Sequence, residues 1–412
     1  MYTFAFNTMN PGGNPMAEGW TARRRVEVAI AHQEPDRVPI DLTITQEPYE
    51  KLRQALGFPP EENLKASSFT EVRPHPEVLK TLGVDVTWVK LHKPLGWSPS
   101  PPMADASALD EWGVGRKKIY LSEAVFLNEV SYSPLKDATL ADLDSHPWPN
   151  PADPGRVEGL EAEAHELYET TELALMGRFG GTILEQAAYL RGWEQWLMDL
   201  VANPEFAWKL MNIIADIQIK LDVMGIQAAG KYLTIFKLSG EDFGMQDRPL
   251  FSMKVWRELV RPVLERRWRA AREALDRYAP NVKLLLHSDG AIRPFLPDLI
   301  DSGIDILDPI QPRCTGMDLY GLKQDFGDKL VFHGGVDTQE VLPFGTEAQV
   351  EAEVIRCLDA LGPGGGYILA PVHNVQADVP PQNLIAMCRV VKEQGRYPLV
   401  KRKTLAPVNV RR

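Results

Sequence analysis

The chain has 412 residues, 44% hydrophobic and 25% charged, an ordinary globular balance with length for one large domain or two ordinary ones. Its formal net charge of −11 argues against nucleic acid as the main partner and against a basic membrane-binding face. No run approaches the roughly 18 apolar residues of a membrane span. The three cysteines (Cys314, Cys357 and Cys388) are too scattered for a disulfide framework or an all-thiolate zinc site, so a cytoplasmic setting is expected.

The opening stretch, MYTFAFNTMNPGGNPMAEGW, lacks a basic n-region and is broken by Pro and Gly, which argues against a signal peptide. Residues 1–36 read as an arm, mobile or folded onto another subunit, followed by a helix. Eight short apolar runs then appear in order: RVPIDL (37–42), VDVTWVKL (84–91), LALMGRF (173–179), YLTIFKLSG (232–240), VKLLLHSDG (282–290), IDILDPI (304–310), KLVFHGG (329–335) and YILAPVHN (367–374). Continuous apolar runs separated by helical patterns signal parallel strands covered on both faces. One connection breaks the rhythm. Residues 93–170, rich in Pro, Trp and Asp, read as an excursion on the same domain: DEWGVGRKKIY and LNEVSYSPL form a hairpin, and DLDSHPWPNPADPGR is a loop leading into a helix.

Residues 253–278 carry Val255, Trp256, Leu259, Val260, Val263 and Leu264 on one helical face behind Ser252 as N-cap, and Pro262 should kink or restart that helix. Residues 346–361 form a second capped helix that stops at Gly362. The GPGGG at 362–366 follows this helix and is a stop and turn rather than a phosphate loop. Eight strand–helix units predict a (β/α)8 barrel over residues 37–400, with 401–412 as a tail. An open doubly wound sheet is the alternative, but neither GxGxxG nor GxxxxGK[ST] is present.

Active sites of such barrels form at the C-terminal strand ends. Those ends carry Asp41, Lys90 with His92, Arg178, Glu241 with Asp242, His287 with Asp289, Asp308, His333 with Asp337, and His373 with Asn374. Half of the eight histidines stand there. Alternate residues of an extended segment point the same way, so His287 and Asp289 can face one ion. With His373 they make three ligands, the usual number at a catalytic zinc site, and Glu241 is a possible fourth. The rival is a metal-free polar pocket whose groups bind substrate or move protons. His333 before two glycines could hold an anion or simply form a tight turn. Asp308 could accept from loop amides.

Taken together, EPDRVPIDL, FGGTILEQAAYLRGWEQWLMDL (179–200), EDFGMQDRPLFSMKVWRELVRPVL (241–264), HSDG, DILDPIQP, FHGGVDTQ and YILAPVHNVQADVPPQNL (367–384) resemble the uroporphyrinogen decarboxylase superfamily across nearly the whole chain. The resemblance implies a (β/α)8 barrel and one of two chemistries. The true decarboxylase acts without cofactor on a poly-carboxylated tetrapyrrole and needs an arginine-rich loop after the first strand and an SDIL-like aspartate. Here TITQEPYEKL follows the first strand and the second reads VDVTWVK, although Tyr189 and His373 match family positions. The corrinoid-dependent methyltransferases of the superfamily hold zinc with an HxC pair after the fifth strand and a late cysteine. Here these become His287-Ser288-Asp289 and His373, a nitrogen and oxygen set suited to a harder Lewis acid.

The resemblance thus implies a methyltransferase of the O-demethylase kind, with zinc at His287, Asp289 and His373. Its cobalamin would come from a partner protein, because no DxHxxG module is present. Glu241, His333, Asp308 and Tyr189 are the expected catalytic groups. Asp41, Arg178, Phe179, Phe243 and Asn374 are the expected substrate contacts, with Phe179, Tyr189, Trp193 and Phe243 walling an aromatic donor. A homodimer is expected by the same resemblance. A metal-free lyase and a non-catalytic ligand-binding barrel remain the alternatives.

Overall fold

The computed structural model describes residues 19–61, 71–98, 108–120, 126–400 and 404–410. Residues 1–18 of the arm and helix expected over 1–36, and residues 401–403 and 411–412 of the tail, lie outside them. All the later runs form strands of one parallel seven-stranded sheet: Val86–Lys90, Ala174–Arg178, Ile235–Gly240, Lys283–His287, Ile306–Ile310, Val331–Val336 and Tyr367–Pro371, adjacent in chain order. The first run closes it. Asp41 N–H donates to Leu369 O at 2.9 Å, Leu369 N–H to Pro39 O at 2.9 Å, and Asp85 N–H to Ile40 O at 2.8 Å. Residues 38–42 thus stand between the last strand and Val86–Lys90 as an irregular first stave. The result is the eight-stave barrel expected from the runs, and its strands are numbered one to eight below in that order.

Closure rests on a buried charge cluster at the N-terminal face. Asp85 accepts from Arg37 at 2.8 and 3.0 Å, from Arg25 at 2.6 Å and from the Ile40 N–H at 2.8 Å. Arg25 also pairs with Asp36 at 2.6 Å. This explains the polar residues inside EPDRVPIDL: they tie the first stave and helix Ala22–Ile30 to the start of strand two. The same helix plugs the barrel bottom. Its Val26 and Ile30 share one apolar cluster with the interior residues Val86, Trp88, Ala174, Met176, Ile235, Leu285, Ile306, Val331 and Ile368.

The outer layer is built from amphipathic helices. Pro204–Ala229 packs on Arg261–Tyr278, joined by the fully buried Asp222–Arg267 pair at 2.7 Å. Ser252 caps as expected, its hydroxyl accepting from Val255 N–H at 3.2 Å. The break expected at Pro262 is a π-helical turn, Trp256–Val260, which spares the proline an intrahelical hydrogen bond before Arg261–Tyr278 resumes. Thr346 forms a capping box with Gln349 at the start of Glu347–Leu361.

The excursion contains an antiparallel sheet of Ala108–Leu109, Gly115–Tyr120 and Phe126–Tyr132, then helix Leu160–Thr170. Arg191 ties it down by donating to the carbonyls of Leu135, Lys136 and Ala138 at 2.8, 3.0 and 2.8 Å. Among the described residues no helix is long and apolar enough to cross a membrane.

Candidate functional site

The barrel interior has a two-residue period, and following it upward leads from apolar to polar. Above Trp88 comes Lys90, above Met176 comes Arg178, above Ile235 Lys237, above Leu285 His287, above Ile306 Asp308 and above Val331 His333. These six polar residues line a cavity of about 500 Å³ at the C-terminal mouth, together with Asp41, Glu185, Tyr189, Asp242, His373 and Asn374.

Asp308 is the hub. Its Oδ2 lies 2.7 Å from His287 Nδ1 and 2.8 Å from Lys237 Nζ, and its Oδ1 lies 2.7 Å from His333 Nδ1. His333 Nε2 in turn lies 3.0 Å from Asp41 Oδ2. Burial works against the Asp308 carboxylate, but Lys237, His333 and His287 hold it well below the usual carboxylate range. Burial and Lys237 oppose protonation of His287, yet Asp308 and Asp289 lift it to about 10. Burial likewise opposes His333, and Asp308 with Asp41 lifts it to about 9. Each imidazole thus stands between two carboxylates that favour its protonated form.

On the far side of His287, its Nε2 lies 3.6 Å from Asp289 Oδ2. Asp242, His287 and Asp289 each offer a ligand atom within 4.8 Å of the others, a spacing that fits one metal ion. Asp242 is braced by the Asp289 N–H, which donates to its Oδ1 at 3.0 Å. Asp289 Oδ1 is buried and meets no donor among the described residues. An orphaned carboxylate oxygen is costly in a dry site. A cation between these groups would satisfy it and displace the His287 proton. His287 Nδ1 held by a carboxylate, with Nε2 facing the other ligands, is the arrangement seen around protein-bound metals. The donor set fits zinc or another borderline divalent ion.

Several expected residues stand elsewhere. His373 reaches Asp289 Oδ2 only at 3.9 Å, with a side chain 46% exposed, so it borders the group from the rim, and Asp242 takes the third position. Glu241 does not line the cavity. It is buried and accepts from the N–H groups of Ile183 and Leu184 at 2.7 and 2.8 Å, capping helix Leu184–Arg191. Burial pushes its carboxyl up to about 7, against Arg267 and those two amides. Phe179 packs on Phe236 in the core, with ring centroids 5.6 Å apart, and Phe243 sits among Phe251, Trp256 and Phe295. Neither walls the cavity; the aromatic residues that do are Trp88 and Tyr189. Tyr189 lies beneath the Arg116 guanidinium at 4.4 Å and edge-on to Trp193 at 6.2 Å. Both nitrogens of His333 face carboxylates, which leaves none for an external anion.

The exchange of Glu241 for Asp242 has a local cause. Strands four and five pair with an offset that changes between Lys237 and Gly240, a bulge with Ser239 at φ 65°. One extra residue inverts the inward parity beyond it. Asp242 then faces the cavity and Glu241 the helices behind. Glu185, which shares a hydrogen bond with Asp242, was not among the expected residues; burial, Asp242 and Glu241 hold its carboxyl well above the usual range.

A closed parallel barrel with a polar, acid-rich mouth over a dry interior defines an enzyme-like (β/α)8 scaffold. The sequence pattern of the uroporphyrinogen decarboxylase (URO-D) family matches residues 134–394, and the chain belongs to that family. A uroporphyrinogen decarboxylase of Sodalis glossinidius is 29% identical over 183 residues, 44% of this chain and 47% of that protein. The match thus spans about half the length of that curated relative. Among solved structures, a methyltransferase from Methanosarcina mazei superposes with a TM-score of 0.59 at 16% identity, covering 91% of this chain and 99% of that one. At that identity the likeness concerns the fold.

Proposed function

We propose that the chain is a corrinoid-dependent methyltransferase. It moves a methyl group from oxygen or nitrogen of a small donor to the Co(I) of a corrinoid carried by a separate protein, assisted by a metal at Asp242, His287 and Asp289. The observation that carries this reading is the orphaned Asp289 Oδ1 inside a compact nitrogen and oxygen ligand group at the cavity wall. The charge of the mouth supports it. Asp41, Glu185, Asp242 and Asp308 line the cavity, while Lys237 is committed to Asp308 and Arg178 pairs with Glu71 at 2.8 Å. A substrate bearing many carboxylates would meet wall cations already engaged by the chain's own carboxylates: Lys237, His287 and His333 by Asp308, and Arg178 by Glu71.

Asp242, His287 and Asp289 would hold the metal, which would supply Lewis-acid polarisation of the donor heteroatom. The rest falls to the chain. Asp308 fixes His287 through Nδ1 and keeps Nε2 turned to the ligand group. Asp41 and Lys237 secure Asp308 and His333 in their places. Trp88 and Met176 form an apolar floor where the cavity meets the packed barrel interior. The methyl–heteroatom bond would break with its electron pair staying on the heteroatom, which would take up a proton from solvent. The Co(I) co-substrate would supply the electron pair of the new bond to the methyl carbon.

The assay is methylcobalamin formation from Co(I) cobalamin, with zinc-loaded protein and a panel of methoxy and N-methyl compounds, acidic and neutral. Formation that is lost in His287→Ala supports the reading. A second reading, a metal-free lyase of the decarboxylase kind, draws on the unbroken Asp41–His333–Asp308–His287 path, along which a proton could move. Chelator-insensitive release of CO2 from a small acid, without methylcobalamin, would establish that reading in place of methyl transfer.

A further inference from the structure

Strands two and three end in a different chemistry from the rest of the mouth. They pair in register, Trp88 beside Met176 and Lys90 beside Arg178. Trp88 is 5% exposed and lines the cavity. Three cationic groups surround its ring: Lys90 Nζ at 5.3 Å, Arg178 Cζ at 5.5 Å and Arg73 Cζ at 5.8 Å from the centroid, with two carboxylates beside them, Glu71 at 2.8 Å from Arg178 and Glu163 at 2.6 Å from Arg73. The indole Nε1–H is buried and meets no acceptor among the described residues. A buried donor without an acceptor is rare in a folded protein and calls for a partner. Burial, Arg178 and Arg73 push the Lys90 ammonium below its ordinary range against the pull of Glu71, so an arriving anion would relieve it.

We infer that this corner binds a carboxylate of the substrate, with Lys90 and Arg178 supplying charge and the Trp88 indole N–H a hydrogen bond. The inference rests on reading the cavity as the substrate site, and it names the substrate class: a small methylated acid rather than a neutral or purely cationic donor. It also fixes orientation. Asp242, Asp289 and Asp308 repel a carboxylate at strands four to six, so the acid end sits at strands two and three. The methyl-bearing heteroatom then points across the mouth toward Asp242 and Asp289.

The test uses the full chain labelled with 15N-tryptophan. The Trp88 indole signal is assigned by its loss in Trp88→Phe, and the spectrum is followed during titration with benzoate and, separately, benzamide. Benzoate should move the Trp88 signal saturably. Benzamide, and benzoate with Lys90→Met or Arg178→Met, should bind weaker by about 10-fold or more, the range for a lost hydrogen bond to a charged group. Lys90→Arg should retain binding, and the remaining indole signals report whether each variant folds. A Trp88 signal that benzoate leaves unmoved, that benzamide moves equally, or that responds unchanged in both Met variants overturns the inference. Benzoate binding without methyl transfer from any acid would sink the proposed function and leave this site standing. Methyl transfer from neutral donors without benzoate binding would do the reverse.

Discussion

Asp308 touches three cations at once, and this sets what its loss should do. It accepts from or pairs with Lys237, His287 and His333, all within 2.8 Å. Groups that orient a metal-binding histidine typically contribute about 10–100-fold in metal affinity or activity. Asp308→Ala is therefore expected to weaken zinc binding by about 10–100-fold, read by competition with a chromophoric chelator. Unchanged affinity would mean that His287 needs no orientation by Asp308. At this scale the sequence was informative wherever strand parity ran unbroken. His287 lies two residues beyond Leu285 and His333 two beyond Val331, so both were legible as inward-facing. Asp242 was visible at the end of strand four, but its inward direction was hidden by the bulge at Ser239, which leaves no mark in a hydrophobic pattern. Phe179 and Phe243 look alike as pocket or core residues, because apolar character alone does not tell a wall from an interior.

Helix Leu184–Arg191 carries Glu185 and Tyr189 into the cavity, and its N-terminus is held by Glu241 from strand four. The Glu241 carboxyl titrates near 7 in the folded chain, above the ordinary 4.5 that holds once unfolded. Between those values the folded state keeps a proton that the unfolded state has released. This contribution is therefore fully present below about pH 4.5 and is lost as pH rises through about 7. Urea midpoints measured across this window should fall with rising pH more steeply in the wild type than in Glu241→Gln, which cannot titrate. Parallel curves would show that Glu241 ionises without burial cost. The helices themselves were largely legible: Ser252 and Thr346 cap where expected. The π-helical turn before Pro262 was not, since a proline announces a break without saying which form the break takes.

For the whole molecule, all eight staves were visible as apolar runs, because a strand buried on both faces has no polar alternation to mask it. Closure was less visible. The first stave is irregular and is held by side chains, above all Asp85 with Arg25 and Arg37. Removing one member of such a buried cluster typically costs about 3–5 kcal/mol. Asp85→Ala is thus expected to destabilise the chain by about that amount in denaturant unfolding. A loss below about 1 kcal/mol would place closure in the backbone bonds instead. The family pattern covers residues 134–394, and the first stave and strand two join that region through backbone bonds to Leu369 and to strand three as well as through this cluster.

The most direct measurement is zinc content, by mass spectrometry, of untagged wild-type protein and an Asp242→Ala/His287→Ala double variant, each reconstituted with zinc and freed of excess. Metal-assisted methyl transfer at this barrel mouth predicts about one zinc per chain in the wild type and essentially none in the variant, the stoichiometry of a single mononuclear site. A wild type that stays empty after reconstitution, or a variant that holds as much zinc as the wild type, would contradict it.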